Sequence, residues 1–364
     1  MEHRPASPGT GKRPHPYAEL PHYAFWNRSV ANVPPFAVDP VVDVPFHISP
    51  SDAVATAGSC FAQHIARALQ RNRFHYFVTE PAPPHLAPAD AAAAGYGIFS
   101  ARYGNIYTTR QLLQLFDRAY GAFLPSLPPW HGEKGGYVDP FRPRIQPGGF
   151  ICEAELIADR TRHLACVRDL FEHLDVFVFT LGLTESWEHT AGHTALPLAP
   201  GVAGGEWDAG QYEFRNYSVE EVERDLNGFI DRLRNVNPSS RVVLTVSPVP
   251  LAATYERRHV LTSTCLSKAV LRVAAELCAS KRPGVCYFPA YEIITGPHAG
   301  GRYFEDDLRS IAQAGVSHVM RVFFAHLAER SPQDADREPE TLSYVEAELA
   351  DLADVICDEE ALSN

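Results

Sequence analysis

Ser59 stands at a position in the chain that suits a nucleophile. An apolar run ending at Gly58 precedes it, and after it Phe61, Ile65 and Leu69 fall on one helical stripe. The pattern predicts a short buried strand, a tight turn at the glycine and a helix. Main-chain N–H groups and the helix dipole favour negative charge at a helix N-terminus, so a hydroxyl there suits an attack that creates an oxyanion. The competing interpretation is that Ser59 only caps the helix.

Four apolar runs have the length of β-strands and predict the fold around this serine. They are DAVATAG (52–58), DVFVFTLG (175–182), RVVLTVSPVP (241–250) and GVCYFPAYEII (284–294). Helical patterns lie at 160–173, 218–238, 266–280 and 312–327. Alternation of helices with strands buried on both faces is typical of a parallel sheet covered on each side. We therefore predict an α/β fold, in which the active crevice lies beyond the carboxyl ends of the strands, where Ser59 falls.

The chain divides into segments of different composition. Residues 1–16 are expected to be disordered, and residues 17–330 to form one domain. Within that domain, residues 82–150 are rich in Pro, Gly, Ala and aromatic residues and are expected to form a cap or insertion beside the sheet. Residues 200–216 are expected to form a second loop excursion. The composition of residues 331–364 predicts an acidic tail with an amphipathic helix. This helix is expected to be available to a protein partner.

Composition excludes several classes of function. The formal charge of −12 argues against nucleic acid or an anionic membrane as the partner, since both require a basic face. There is no apolar run of the roughly 20 residues that span a bilayer, and no signal peptide is visible at the N-terminus. The seven cysteines form no C-x-x-C pair and are odd in number, which favours reduced thiols over disulfides or zinc. We expect a cytoplasmic protein with no metal and no cofactor.

A resemblance to a known family sharpens this interpretation. AGSCFAQHIARAL, residues 57–69, closely resembles the namesake motif of the GSCFA family, itself similar to the SGNH/GDSL hydrolases. Further matches follow in the family's order: YGNIYTTRQLLQ (103–114), VFTLGLTESW (178–187), LTVSPVPL (244–251), HVLTSTCLSKAVLR (259–272) and YFPAYEI (287–293). Together they cover about residues 17–327. The resemblance implies a flavodoxin-like three-layer α/β/α sandwich, with a mainly parallel sheet, that carries a serine nucleophile.

The resemblance also implies a set of site residues. In SGNH enzymes the first motif supplies the nucleophile, which maps to Ser59. The oxyanion is held by the N–H of that serine, by a glycine that corresponds to Gly104, and by an asparagine. Thr184 replaces this asparagine, which either weakens the donor or hands its task to Asn105, beside the glycine.

Cys60 is the other conceivable nucleophile, because the pKa of a thiol at a helix N-terminus can be lowered. Consecutive residues of a helix diverge by about 100° around its axis. Only one of the two side chains is therefore expected to face the crevice. The resemblance selects Ser59, and Cys60 is assigned to packing.

The general base is where this chain departs from the family pattern. The usual Asp-x-x-His appears as Asp306-x-x-Arg309, and an arginine stays protonated, so it cannot accept the serine proton. His259 is the first candidate for the base, oriented by Asp306 or Glu185, and His298 is the second. His318 and His64 are expected to lie on the surface or in packing positions.

Two functions remain open at this stage. The first is a serine-dependent esterase or O-acyltransferase that acts through an acyl-enzyme on a small or carbohydrate-linked ester. In it, Glu185 is an acid or base in the crevice or half of an ion pair. The second is a non-catalytic protein on a degenerate hydrolase fold, in which Arg309 grips an anionic metabolite or sugar.

Overall fold

The computed structural model describes residues 15–132, 135–329 and 357–358. The strands in this part are β1 (Val54–Gly58), β2 (Trp130–His131), β3 (Tyr137–Val138), β4 (Val176–Leu181), β5 (Glu185–His189), β6 (Thr194–Leu196), β7 (Tyr212–Asn216), β8 (Arg241–Val246) and β9 (Val285–Tyr287). The helices are α1 (Ala62–Arg71), α2 (Pro88–Ala93), α3 (Thr109–Ala119), α4 (Glu153–His173), α5 (Val219–Val236), α6 (Val260–Lys281), α7 (Ala290–Thr295) and α8 (Gln313–Leu327). Most of the predicted disordered N-terminus and of the predicted acidic tail lies outside the described residues.

The central sheet is parallel and has the strand order β1-β4-β8-β9. All residues of β1 and β4 are buried, as expected of strands covered on both faces. Outside β1, Tyr76 adds a single parallel bridge to Val54. Counting that bridge as a reduced second strand gives the order 2-1-3-4-5 of flavodoxin-like sheets. The predicted α/β fold with a mainly parallel sheet is confirmed.

Helices cover both faces of this sheet, because alternate side chains of each strand point to opposite sides. Phe177 and Phe179 of β4 pack with α3, α4, α5 and α6. Val176 and Val178 pack with α1, α7 and α8. The result is a three-layer α/β/α sandwich with a separate apolar core on each face of the sheet. Replacing either phenylalanine with alanine would cost about 3–5 kcal/mol.

The outer edge of β1 is closed by both side-chain and main-chain hydrogen bonds. The Thr56 N–H donates to Ser100 Oγ at 3.1 Å, and the Tyr103 hydroxyl donates to the Thr56 carbonyl. Main-chain bonds join Val54 to the neighbouring segment on either side of Tyr76, through His75 and Phe77. The strand that leads to Ser59 is therefore held on both sides.

Three segments carry regular structure that the sequence patterns did not predict. The run 284–294 contains the short strand β9 and then α7, because Pro289 has no N–H for the ladder and stands at the start of the helix. The predicted loop 200–216 ends in β7, which pairs with β5, and β5 pairs with β6 in a three-stranded antiparallel sheet. Residues 109–119 of the predicted cap form α3, which packs in the helical layer.

His318 also differs from its predicted surface position. The ring is buried on α8, between the Tyr303 hydroxyl at 2.8 Å from Nδ1 and the Val38 carbonyl at 2.8 Å from Nε2. It joins α8 to the chain that precedes β1.

Among the described helices, none is long and apolar enough to cross a bilayer.

Candidate active site

Ser59 lies in the turn between β1 and α1, at the carboxyl edge of the central sheet. Gly58 adopts φ +135°, and a Cβ on it would lie 2.2 Å from the Thr180 carbonyl oxygen, so glycine is required for this close approach. The Ser59 N–H donates to the same carbonyl at 3.1 Å. On the other side, the Ile106 N–H donates to the Gly58 carbonyl at 2.7 Å. Main-chain contacts thus fix the serine before the helix begins.

The Ser59 hydroxyl is buried and lacks a hydrogen-bond partner within the described part of the chain. The residue is only 3% exposed. Leaving a buried polar group without a partner costs about 1–3 kcal/mol. Such groups are rare in native structures, and a catalytic function is one of the reasons for which they persist.

The serine opens into a small cleft between the ends of three parallel strands. The cleft is lined by Ser59, Cys60, Tyr107, Gly182, Leu183, Ser247, Val249, Pro250, Leu251 and Lys268. The turns after β1, β4 and β8 supply most of this lining, as the strand topology predicts. Tyr107, Leu183 and Leu251 form an apolar cluster along its wall. A small acyl group would be in contact with apolar surface there.

Lys268 of α6 lines the same cleft, although it is only 2% exposed. Its Nζ donates to the Gly182 carbonyl at 2.5 Å. A Cβ placed on Gly182 would lie 3.1 Å from Ser59 Cβ, so the serine and the amine flank the same glycine. The sequence placed this lysine inside a family-like motif, but nothing in its local pattern marked it for the site.

Cys60 is buried and also lines the cleft. The expectation that only one of the two neighbours would face the crevice is wrong. That expectation applied helical spacing to both residues, but α1 begins only at Ala62. Both residues lie in the turn before the helix and border the same cleft.

The predicted oxyanion donors on the 103–107 segment line a neighbouring cavity. Gly104 has φ +71°, and both it and Asn105 face that cavity rather than the Ser59 cleft. The Asn105 side chain accepts a hydrogen bond from Gln63 Nε2 at 3.1 Å and donates to Asp358 Oδ2 at 2.8 Å. Asn105 therefore already binds an anionic oxygen.

Thr184 is committed to the packing of the turn that follows β4. Its hydroxyl donates to Asn216 Oδ1 at 2.7 Å, and its N–H donates to Ser267 Oγ at 3.0 Å. The second bond fixes the turn to α6, immediately before Lys268. In this arrangement the threonine positions the edge of the cleft without lining it.

Glu185 fixes the loop after β8. Its carboxylate accepts the Thr254 hydroxyl at 2.6 Å and the Tyr255 N–H at 3.1 Å. Burial raises the pKa of Glu185, and these two hydrogen bonds only partly oppose that effect. The carboxylate is not part of the lining of the Ser59 cleft.

The predicted bases do not line the cleft either. His259 is exposed and caps α6, with its Nδ1 accepting from the Leu261 N–H at 3.2 Å. Asp306 is exposed in the turn before α8. Arg309 donates to Cys357 Sγ at 3.5 Å. His298 is half-buried beside the ring of His318, with 6.3 Å between the ring centroids.

Similarity to known proteins agrees with the family resemblance. The sequence profile of the GSCFA family matches residues 53–323, from the start of the central sheet into α8. The chain belongs to the GSCFA family. No curated protein is significantly similar to it in sequence. Among solved structures, a carbohydrate esterase family 3 from Talaromyces cellulolyticus aligns with a TM-score of 0.26 and 12% identity, over 76% of this chain and 94% of that chain. So distant a likeness does not bear on the activity, and kinship with the SGNH hydrolases stays a prediction.

The structure gives each letter of the GSCFA motif a physical reason. Gly58 allows β1 to approach β4, and Ser59 and Cys60 present a hydroxyl and a thiol to the cleft. Phe61 is fully buried in the core beneath α1, and Ala62 begins the helix. The motif therefore joins a packing anchor to two residues that line the cleft.

The described C-terminal residues reach the rim of this GSCFA site. Besides its bond with Asn105, Asp358 donates its own N–H to the Tyr107 hydroxyl at 3.1 Å. Arg144 Nε lies 3.9 Å from the Asp358 carboxylate. Because Tyr107 also lines the Ser59 cleft, an aspartate from the end of the chain borders the site.

One group of described residues offers ligand atoms close enough for a metal ion. Glu188, His193 and Glu213 hold such atoms within 4.8 Å of one another, on the antiparallel sheet. Glu188 already accepts the Tyr217 hydroxyl at 2.6 Å. His193 lies 3.3 Å from the Glu213 carboxylate as an exposed ion pair. These contacts account for the cluster.

Proposed function

We propose that this GSCFA protein is a serine-dependent ester hydrolase or O-acyltransferase. One observation carries the proposal: the Ser59 hydroxyl is buried without a partner in a cleft at the carboxyl edge of a parallel sheet. In this proposal Ser59 Oγ attacks the acyl carbonyl, and the bond from that carbon to the leaving alcohol breaks. The serine proton passes to the alcohol. Water or an acceptor alcohol then cleaves the acyl-serine and restores the hydroxyl.

The lining of the cleft supports a small acyl group. Tyr107, Leu183 and Leu251 offer apolar contacts on one wall. The N-terminus of α1 meets the charge that develops on the carbonyl oxygen. The Ser59 N–H already donates to Thr180, so in this proposal the other groups at the turn supply the oxyanion contacts.

The neighbouring cavity is proposed to hold the alcohol portion of the ester. Gly104 and Asn105 line it, two to three residues before Tyr107 on the same segment. Asn105 Nδ2 donates to a carboxylate oxygen, so it is suited to an oxygen-rich ligand such as a sugar. Arg309, beside Cys357, would contact the ligand at the rim.

Covalent labelling with a fluorophosphonate tests the nucleophile. The wild-type protein should gain the mass of one probe, and Ser59→Ala should gain none. Ser247→Ala is the matched control, because that serine lines the same cleft but its hydroxyl accepts the Val249 N–H at 3.3 Å. Labelling of Ser59→Ala at the wild-type rate would refute the proposal. If only Cys60→Ala lost the label, the thiol would be the nucleophile.

A second candidate, a binding protein for an anionic metabolite or sugar, is favoured by the contacts of Asp358. The Asp358 carboxylate lies close to the side chains of both Asn105 and Arg144, so a negative charge is already held at the rim of the site. Calorimetric titration with glucuronic acid tests this function. Binding that Asn105→Ala and Arg309→Ala abolish, in a protein that no fluorophosphonate labels, would favour the second candidate over the first.

A further inference from the structure

The proposed function needs a base, and the described lining of the Ser59 cleft contains neither a histidine nor a carboxylate. Its ionisable side chains are those of Lys268, Cys60 and Tyr107. The Tyr107 hydroxyl accepts the N–H of Asp358 at the rim. Lys268 is the one amine in this lining, and lysine is a known partner of serine in hydrolases that lack a catalytic histidine.

Lys268 is held firmly beside the serine. Its Nζ donates to the Gly182 carbonyl at 2.5 Å, and a Cβ built on Gly182 would lie 3.1 Å from Ser59 Cβ, so both residues flank this glycine. The preceding residue, Ser267, accepts the Thr184 N–H at 3.0 Å. Two consecutive residues of α6 thus bind both ends of the turn after β4, which fixes the direction from which the amine enters the cleft.

We propose that Lys268 is the general base that accepts the Ser59 proton, an inference that rests on the proposed function. The lone pair of the neutral amine takes the proton from Oγ as the bond from Oγ to the acyl carbon forms. The resulting ammonium returns the proton to the leaving alcohol. In the second half-reaction, the amine takes a proton from water or the acceptor alcohol and gives it back to Oγ.

Lysine amines in buried sites serve as general bases in enzymes, and Lys268 is only 2% exposed. During attack the ammonium also lies beside the developing oxyanion, where a positive charge is favourable. The assignment explains why Arg309 can stand where the family pattern has histidine. With the base supplied by α6, that position does not need a histidine.

The competing interpretation is that Lys268 only ties α6 to the Gly182 carbonyl. Lys268→Arg separates the two, since arginine keeps the positive charge and the hydrogen-bond donors but cannot accept a proton. Lys268→Met removes all three properties at similar length. The fold of each variant is checked by its thermal unfolding.

The measurement is the second-order rate of fluorophosphonate labelling from about pH 6 to about pH 10. We expect the wild-type rate to rise with pH, because the amine must lose its proton. Both Lys268→Arg and Lys268→Met should lower the rate by about 10²–10⁴-fold, as for loss of a general base. In Lys268→Ala, added methylamine should restore part of the rate.

The remaining outcomes distinguish a failure of Lys268 as the base from a failure of the proposed function. A wild-type rate that does not change with pH, or a folded Lys268→Arg that labels at the wild-type rate, would overturn Lys268 as the base. Rapid labelling of Lys268→Met, with Ser59→Ala unlabelled, would overturn the base but leave the nucleophile. Labelling of Ser59→Ala at the wild-type rate would instead remove the proposed function itself.

Discussion

Two regions of the interior bury polar groups, a carboxylate in one and a hydroxyl in the other, and these two groups differ in their hydrogen bonds. On α4, Asp159 accepts Arg102 at 3.1 Å through one oxygen and Arg142 at 2.9 Å through the other. Asp139 accepts Arg142 at 3.0 Å in the same network. In the Ser59 cleft, by contrast, the hydroxyl has no partner among the described residues.

The pKa of Asp139 shows what pairing does to a buried group. Burial acts to raise this pKa, but the charges of Arg142, Arg160 and Arg118 outweigh it and hold the pKa well below its usual range. A carboxylate so strongly bound has little capacity left for a ligand. The comparison teaches that burial alone does not mark a functional group. A buried group whose hydrogen-bonding capacity is unused and that also lines a cleft, as Ser59 does, is the better candidate.

Breaking the ionic network should have the largest effect on stability. Asp159→Asn keeps the shape but leaves Arg102 and Arg142 with less negative charge in a buried setting. Loss of one partner of a buried ion pair costs about 3–5 kcal/mol. Urea unfolding measures the change. The control is Asp169→Asn on the same helix, because its pair with His173 is exposed, is screened by solvent and should contribute little to stability. Equal effects of the two substitutions would contradict the structural importance of the network.

The next effect concerns the close approach at Gly58. Gly58→Ala should lower the free energy of unfolding by on the order of 3 kcal/mol, because the added Cβ meets the Thr180 carbonyl. Gly121→Ala is the control, since Gly121 has φ +70° with open space around it. That substitution should cost only about 1 kcal/mol. A similar cost at both sites would mean that the backbone angle, and not the contact with β4, demands the glycine.

Acid should weaken the fold through buried histidines. Burial lowers the pKa of His64 to about 3 and that of His318 to about 4, from 6.5. The unfolded chain therefore binds more protons, so stability is fully present above about pH 6.5 and falls as the pH drops. The slope is about 1.4 kcal/mol per pH unit for each proton. His64→Phe should reduce the slope between pH 6.5 and pH 4 by one proton, and exposed His85→Phe should leave it unchanged.

The smallest loss of stability is expected at the nucleophile. Ser59→Ala should cause no loss of stability and should raise the free energy of unfolding by up to about 1–3 kcal/mol, since it removes a buried hydroxyl that has no partner. Thr184→Val, in which a partnered buried hydroxyl is removed, should cost about 1–2 kcal/mol. Thermal unfolding of Ser59→Ala and Thr184→Val measures this difference in stability. A large loss at Ser59 would mean that its hydroxyl does have a structural partner.

The central sheet was predictable because strands buried on both faces are continuous apolar runs. The antiparallel sheet was not, since β5 and β7 are short and mix charged with aromatic residues, as in ESWEH and YEFRN. Its existence depends on pairing between strands, which local sequence does not encode.

In the candidate site, the sequence indicated the position of Ser59 because a strand, a glycine turn and a helix follow one another directly. It did not indicate Lys268, whose contact with Gly182 joins residues 86 positions apart. The prediction of His259 as base assumed that nearness to a strand end brings a side chain to the crevice. The bonds of Glu185 to Thr254 and Tyr255 direct that loop elsewhere.

The closed edge of β1 has a consequence for behaviour in concentrated solution. A strand whose outer N–H and C=O groups are free is a template for pairing with another molecule, which leads to aggregation. Here Ser100 and Tyr103 occupy the main-chain groups of Thr56 with side chains, which cannot extend a ladder. The strand that leads to Ser59 is thereby shielded from self-association, although within the described residues the sheet has a single bridge beyond it.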